Sequence, residues 1–391
     1  MIVNLIKKNC QNFVFNGLLH QWNKNGFHST QGYSFESLTS TWEINPVGRT
    51  RLLTQCRQLY TFSHASLVDN NPGWKARLAP LFSFITQNYF KSDRWIFSLD
   101  DKLTPLDEKS DAYALAFVLL SFSYYYQATR DEKALELIES THLFLQEKMR
   151  SNKGGYYESF PIDSLSIRRQ NPHMHLLEGY IAAYHATESE PYKLALIELL
   201  SLAKTHFFDA ETKSLREFFN SDWSYNLNTG HIIEPGHHFE WVWLLHQSYK
   251  IDADPEYLIM ADALWEKATR YGLDPKGGVY NQIHAKTNQV LDKEKRIWPL
   301  TEYLKALCAH LEDGPNKVEQ IKNAISFIFT HYLHRDGHWN EFLDADNKPK
   351  DHPLPGTSSY HIFLGLWEVI QWCQISMDRT NTLSHVNQPQ I

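Results

Sequence analysis

Thiols are scarce in this chain and widely scattered. Cys10, Cys56, Cys308 and Cys373 are the four cysteines among 391 residues. They show no paired spacing, so neither a disulfide framework nor a thiolate zinc site is indicated. Long apolar runs are missing too. No segment approaches the ~20 residues of a membrane span, and Met1-Ile2-Val3-Asn4-Leu5-Ile6-Lys7-Lys8 lacks the apolar stretch of a secretory signal. A reducing cytoplasm is the expected location. Basic residues are outnumbered, 38 Lys and Arg against 45 Asp and Glu for a net charge of −7. No basic stripe appears, which argues against nucleic acid or a membrane as partner. Without a Gly-x-Gly-x-x-Gly or a phosphate loop, no nucleotide cofactor is expected. Without His-Glu-x-x-His or paired cysteines, no metal is expected either, although His173, His175, His237 and His238 are enough ligands on paper.

Aromatic residues, by contrast, are plentiful at 14%, and they recur. Short segments at intervals of about 60 residues interrupt a long amphipathic pattern. They read Gly32-Tyr33-Ser34-Phe35-Glu36, Arg94-Trp95-Ile96-Phe97, Gly154-Gly155-Tyr156-Tyr157-Glu158, Leu215-Arg216-Glu217-Phe218-Phe219, Gly277-Gly278-Val279-Tyr280 and Gly337-His338-Trp339-Asn340-Glu341-Phe342. Each interval holds two helices of ordinary length with their connections. Six helical hairpins of this size predict a closed double ring, an all-α (α/α)6 barrel, with the short segments at one mouth. A mouth lined with Tyr, Trp, Phe, Arg and Glu is the kind of surface that stacks on sugar rings, so the expected partner is a small carbohydrate. Residues 1–391 read as a single domain, a monomer or homodimer, with a polar and poorly ordered tail from about Ser376.

The helix pattern supports that count. Asp111 to Gln127 is nearly all apolar, as an inner helix should be. Asp131 to Met149 is amphipathic with an acidic start, as an outer helix should be. The alternation returns at His173 to Thr187 with Pro191 to His206, at His237 to Lys250 with Pro255 to Gly272, and at Thr301 to Glu312 with Lys317 to His331, before Ser358 to Gln374 closes the ring.

Histidines number 20, and several sit at inner-helix starts. In Pro235-Gly236-His237-His238-Phe239-Glu240 the residues His237 and Glu240 are three apart, which places both on one helix face. A carboxylate beside an imidazole raises its basicity and fixes its tautomer, as a general acid/base requires. His175 and Glu178 repeat this spacing in Asn171-Pro172-His173-Met174-His175, and His361 occupies the matching end of the last inner helix. In a closed ring all three helix starts face one cavity.

These residues carry a family resemblance. Cys56 to Ser63, Asn171 to Glu178, Pro235 to Trp243, Arg296-Ile297-Trp298-Pro299-Leu300-Thr301-Glu302 and Ser359-Tyr360-His361 together resemble the N-acylglucosamine 2-epimerase superfamily of (α/α)6-barrel sugar isomerases and epimerases. The resemblance implies that His237, supported by Glu240, and His361 are the acid/base pair, with His175 near the reacting end. It implies substrate contacts from Arg57 and Tyr113, and the matching segments add Asn171, His173, Trp298 and Glu302, with Trp339 from the last aromatic segment. Cellobiose epimerases carry paired tryptophans where this chain has Ile297-Trp298, and a further Trp where it has Gly356. Their absence points to a monosaccharide. N-acetylglucosamine epimerases typically lack the His-x-His present here as His173 and His175. The remaining resemblance is to the D-mannose isomerase and sulfoquinovose isomerase group, which implies D-mannose to D-fructose interconversion without metal. Three alternatives stay open at this stage, the first a sugar 2-epimerase of the N-acylglucosamine, mannose or cellobiose type, in which the same histidines return the proton to the opposite face of C2. An inverting glycosidase would draw two carboxylates from Glu158, Glu178, Glu240, Glu302 and Glu341, and a sugar-binding barrel would need no catalyst.

Overall fold

The computed structural model describes residues 2–386. The chain starts with α1 (Ile2–Gln11), which continues through a π-helical stretch (Asn12–Leu18) into α2 (Leu19–Asn25). Then come α3 (Leu52–Val68), α4 (Pro72–Tyr89), α5 (Ala112–Thr129), α6 (Glu132–Phe144), α7 (Gln170–Thr187), α8 (Glu190–Leu202), α9 (Pro235–Ile251), α10 (Pro255–Lys267), α11 (Ile297–His310), α12 (Pro315–His331) and α13 (Ser358–Val386). The odd-numbered helices from α3 onward form the inner ring. Each packs on the next, and α13 returns to α3, closing the circle. Helices α4, α6, α8, α10 and α12 each lie outside the inner helix that precedes them, and α1 covers α13. The result is the (α/α)6 barrel. Burial explains the apolar pattern: α5 is enclosed on nearly every side, apart from Tyr113 at its start and its last turns.

The 60-residue period has a specific structural origin. After each outer helix the chain makes a miniature β-hairpin before it enters the next inner helix. The pairings are Phe27 with Ser34, Phe90 with Trp95, Arg150 with Tyr156, Phe208 with Leu215, Leu273 with Val279 and Leu333 with Trp339. The aromatic segments are the returning arms of these hairpins. Three of the six centres point inward and not into the mouth: Trp95, Tyr156 and Trp339 are buried. Trp339 packs on Trp22 and Trp42, at 6.1 and 6.5 Å between ring centroids. Three of the expected mouth aromatics are therefore core plugs, because large rings gain more from full burial than from lining water; Glu217 and Phe218 of the fourth segment do reach the mouth.

Two residues beyond the paired position, four of the six hairpins carry a glutamate, and each lies against an inner-helix start. Glu36 accepts hydrogen bonds from Arg51 and Thr54 at α3. Glu158 accepts from the Arg169 backbone and side chain at α7. Glu217 accepts from the Glu234 backbone at α9, and Glu341 bonds Ser358 at α13. A negative side chain at a helix N-terminus is favoured by the unpaired N–H groups there.

Two expectations need correction. The inner helices α7, α9 and α11 begin earlier than expected, at Gln170, Pro235 and Ile297. Pro172 and Pro299 fall in the first turn, where a missing N–H has no helical partner to lose. The tail expected to lose order near Ser376 stays helical to Val386 as the end of α13; the last residues of the chain lie outside the described region.

The start of the chain meets the last hairpin at two glycines. Gly337 has φ +94°, and a Cβ there would lie 2.4 Å from the backbone of Gly17. Gly337→Ala should destabilise the protein by about 2–4 kcal/mol, from a left-handed backbone and a rigid backbone clash together. Gly48 has a similar φ of +69° with open space around it, so Gly48→Ala should cost only about 1–2 kcal/mol. Chemical denaturation of the two variants side by side tests this, and equal losses would show that the close approach carries no weight.

Candidate active site

The first turns of the six inner helices surround one cavity of about 280 Å³. Helix N-termini bring unpaired N–H groups and a positive dipole end to this mouth. Arg57 of α3 and Tyr113 of α5 face it, with Asn171 and His175 from α7, His237 and Glu240 from α9, Trp298 from α11 and His361 from α13. Eight of the residues singled out in the sequence are thus brought together.

His237 sits in the first turn of α9, and its Nδ1 is 2.9 Å from Oε2 of Glu217. Glu234 stands 3.7 Å from the same nitrogen. The supporting carboxylate is therefore Glu217, on the preceding hairpin, and not Glu240. Two residues three apart share a helix face, but His237 points up toward the hairpin while Glu240 lies a turn deeper, against α7 and α11. Burial opposes charge on His237, yet Glu217, Glu234 and Glu240 together raise its pKa to about 10. The other nitrogen, Nε2, lies 3.0 Å from Nδ2 of Asn171, whose Oδ1 has no partner. Nδ2 donates to a neutral imidazole, and an amide turned over would offer Oδ1 to the imidazolium that the three carboxylates favour.

His361, the second imidazole, has the opposite environment. Its Nδ1 is 2.8 Å from Oε1 of Glu302. Burial, with Arg57, His175 and Lys305 nearby, holds its pKa well below the usual histidine range. Trp298 lies between the two, its ring centroid 5.0 Å from His237 and 5.8 Å from His361. One imidazole is thus kept charged and the other neutral across one aromatic face.

Arg57 is locked in place beside them. Its guanidinium donates to the Thr357 carbonyl at 3.0 Å and to the Tyr113 hydroxyl at 2.7 Å, and it lies 4.3 Å from the Phe117 ring centroid. His175 bonds Glu178 through Nδ1 at 3.0 Å, and its Nε2 is 3.8 Å from Glu240. Burial keeps its pKa down near 4 despite Glu178. Glu240 is pushed well above the carboxylate range by burial and by Glu302 and Glu178. Its buried Oε1 has no hydrogen-bond partner.

Three further residues sit differently from expectation. Glu302 lies behind the cavity wall, where it holds His361. His173 is structural: Nε2 accepts from the Tyr156 backbone at 2.9 Å and Nδ1 donates to the Arg169 carbonyl at 3.0 Å. His238 does the same in the next repeat, with the Leu215 backbone and the Glu234 carbonyl. Each ties a hairpin to the helix that follows, so a backbone already uses both of its nitrogens. Trp339 belongs to the core plugs. The cavity also holds Arg169 and Arg296, which the sequence pattern did not single out as site residues, and Glu217 and Phe218 from the fourth mouth segment, where the partnership of Glu217 with His237 was not foreseen. Glu217 belongs to the recurring hairpin glutamates, and that recurrence was the available signal.

The histidines and glutamates also make two sets of metal-compatible donors, His175 with Glu178 and Glu240, and Glu240 with Glu302 and His361, each within 4.8 Å. A divalent ion there would meet the Lys305 ammonium, already 2.7 Å from Glu302 and supplying the positive charge.

Comparison with known proteins identifies the family. The chain is 28% identical to a mannose-6-phosphate isomerase of Rhizobium meliloti, over 89% of this chain and 92% of that one. It is 26% identical to a D-mannose isomerase of Marinomonas mediterranea, over 87% and 91%. Its fold superposes on the cellobiose 2-epimerase of Spirochaeta thermophila with a TM-score of 0.86, at 23% identity and covering 96% and 98% of the two chains. The family model for N-acylglucosamine 2-epimerase matches residues 32–365. The chain belongs to the N-acylglucosamine 2-epimerase family of sugar isomerases and epimerases.

Proposed function

We propose that this protein is an aldose–ketose isomerase that interconverts D-mannose and D-fructose through a cis-enediolate. The observation that carries the reading is the pair of imidazoles on either side of Trp298, one held protonated and one held neutral. Groups whose environments push their pKa values apart take opposite acid and base roles.

The C2 proton of an open-chain aldose is a very weak acid. It leaves only if a base is held against it while the developing oxyanions are stabilised. His361 is the base: Nδ1–H is committed to Glu302, and Nε2 is free to take the proton from C2 and return it to C1 on the same face. His237 is the second group, passing a proton between O1 and O2. Arg57 meets the charge on oxygen with a fixed fork that a lysine would not reproduce. Glu240, whose carboxyl burial and its acidic neighbours Glu302 and Glu178 push well above the usual range, meets a sugar hydroxyl as a hydrogen-bonding group. The same parts would serve a 2-epimerase if the proton returned to the opposite face of C2.

The carboxylates do not suit an inverting glycosidase. Glu178 and Glu240, and Glu240 and Glu302, approach within 4.8 Å, closer than the ~6.5–9.5 Å such enzymes use. Glu158 and Glu341 support helix starts. A phosphorylated aldose is the second reading, favoured by Arg169 and Arg296, which place two half-exposed guanidinium groups on the cavity wall.

Incubated with D-mannose in heavy water, the protein should yield D-fructose carrying deuterium at C1. Glucose as the product would make it a 2-epimerase, and turnover of mannose 6-phosphate alone would favour the second reading. His361→Ala and His237→Ala should each lower kcat by a factor on the order of 10²–10⁴, with folding retained.

The pH profile provides a separate check. Activity needs His361 neutral and His237 protonated, so the acid limb should lie well below the usual histidine range and the alkaline limb near 10. Glu217→Gln removes the main support for charge on His237 and should move the alkaline limb down. An alkaline limb that stays in place would exclude His237 as the titrating group.

A further inference from the structure

Glu178 from α7, Glu240 from α9 and Glu302 from α11 converge behind the cavity wall, all almost fully buried. Among the described residues, the cation that enters this group is Lys305, one turn beyond Glu302 on α11. Its side chain is 0% exposed, its ammonium is 2.7 Å from Oε2 of Glu302, and it lies 4.1 Å from the Trp243 ring centroid. Burying an ammonium is expensive without a partner, and here the partner has a second duty. The opposite oxygen of the same carboxylate, Oε1, holds Nδ1 of His361 at 2.8 Å.

We propose that Lys305 is a positioning residue for His361, holding the Glu302 carboxylate as the acceptor for the Nδ1–H and so leaving Nε2 free to take a proton. This rests on the isomerase reading for its consequence, though not for its geometry. The groups facing Glu302 explain why a cation is needed. Burial presses hardest on its charge, and Glu178 from α7, Glu240 from α9 and Glu368 from α13 add to it. His361 is buried beside Arg57 and His175, so it brings little compensating charge. Together burial and these carboxylates raise Glu302 above the usual carboxylate range, and Lys305, ahead of His175, is the main group that holds that rise down. A protonated Glu302 would donate to His361 Nδ1, and the ring proton would move to Nε2, where the base must be bare.

The test uses the full-length protein and needs no substrate for its first arm. Nitrogen-labelled histidine spectra report which ring nitrogen of His361 carries the proton, with the signal assigned by its loss in His361→Gln. The wild type should carry it on Nδ1, and Lys305→Met should shift it to Nε2. The double variant Lys305→Met/Glu302→Gln should restore it to Nδ1, because an amide oxygen accepts without a cation. On D-mannose, Lys305→Met should lose kcat by a factor on the order of 10² with little change in KM, and its acid limb should move up. The double variant should recover part of that loss. A folded Lys305→Met protein with the wild-type tautomer would overturn the proposal, whatever substrate the enzyme takes. If Lys305→Met does not fold, the neutral but polar Lys305→Gln takes its place with the same two outcomes: Nε2–H supports the proposal and the wild-type Nδ1–H overturns it. Absence of activity on D-mannose in the wild type would count against the isomerase reading, while the tautomer spectra would still decide the role of Lys305.

Discussion

Everything in this site depends on six helix N-termini meeting at one end of a ring. A helix start leaves N–H groups unpaired and carries a partial positive charge, and six of them around a small cavity make a place where negative charge is welcome. The hairpin glutamates answer that field in four repeats. In three of them, at Glu36, Glu158 and Glu341, the carboxylate serves a helix start and neighbouring side chains. In the remaining one, Glu217 also reaches His237. A structural device of the repeat has been extended by one hydrogen bond to a histidine of the cavity.

The two imidazoles show how far environment can separate identical side chains. Both are buried and both bond a glutamate through Nδ1. His237 has further carboxylates around it, while His361 shares its surroundings with Arg57, His175 and Lys305. Local charge decides the outcome where burial and the first hydrogen bond are alike.

Much of this was legible in the chain. The 60-residue recurrence foretold the ring, and the position of His237, His175 and His361 near inner-helix starts foretold their convergence. The aromatic centres misled, because Trp339 and its equivalents mark the hairpin and not the cavity. His173 misled for a related reason: it occupies the place that His238 occupies in the next repeat, a tie between hairpin and helix. Glu240 was correctly placed in the cavity but given the wrong partner, since i,i+3 spacing says nothing of a hairpin 20 residues earlier. Lys305 gave no sign beyond its spacing from Glu302, because a lysine reads as exposed until the fold buries it.

The packing of α1 on α13 has a consequence for how the protein is made. Helix α1 is made long before its partner α13, and the contact between Gly17 and Gly337 joins residues 320 positions apart. The cavity draws on Arg57 and on His361 alike. Nascent chains short of the final helix therefore hold hairpins with open edges and no complete pocket, and chemistry begins only when the ring shuts.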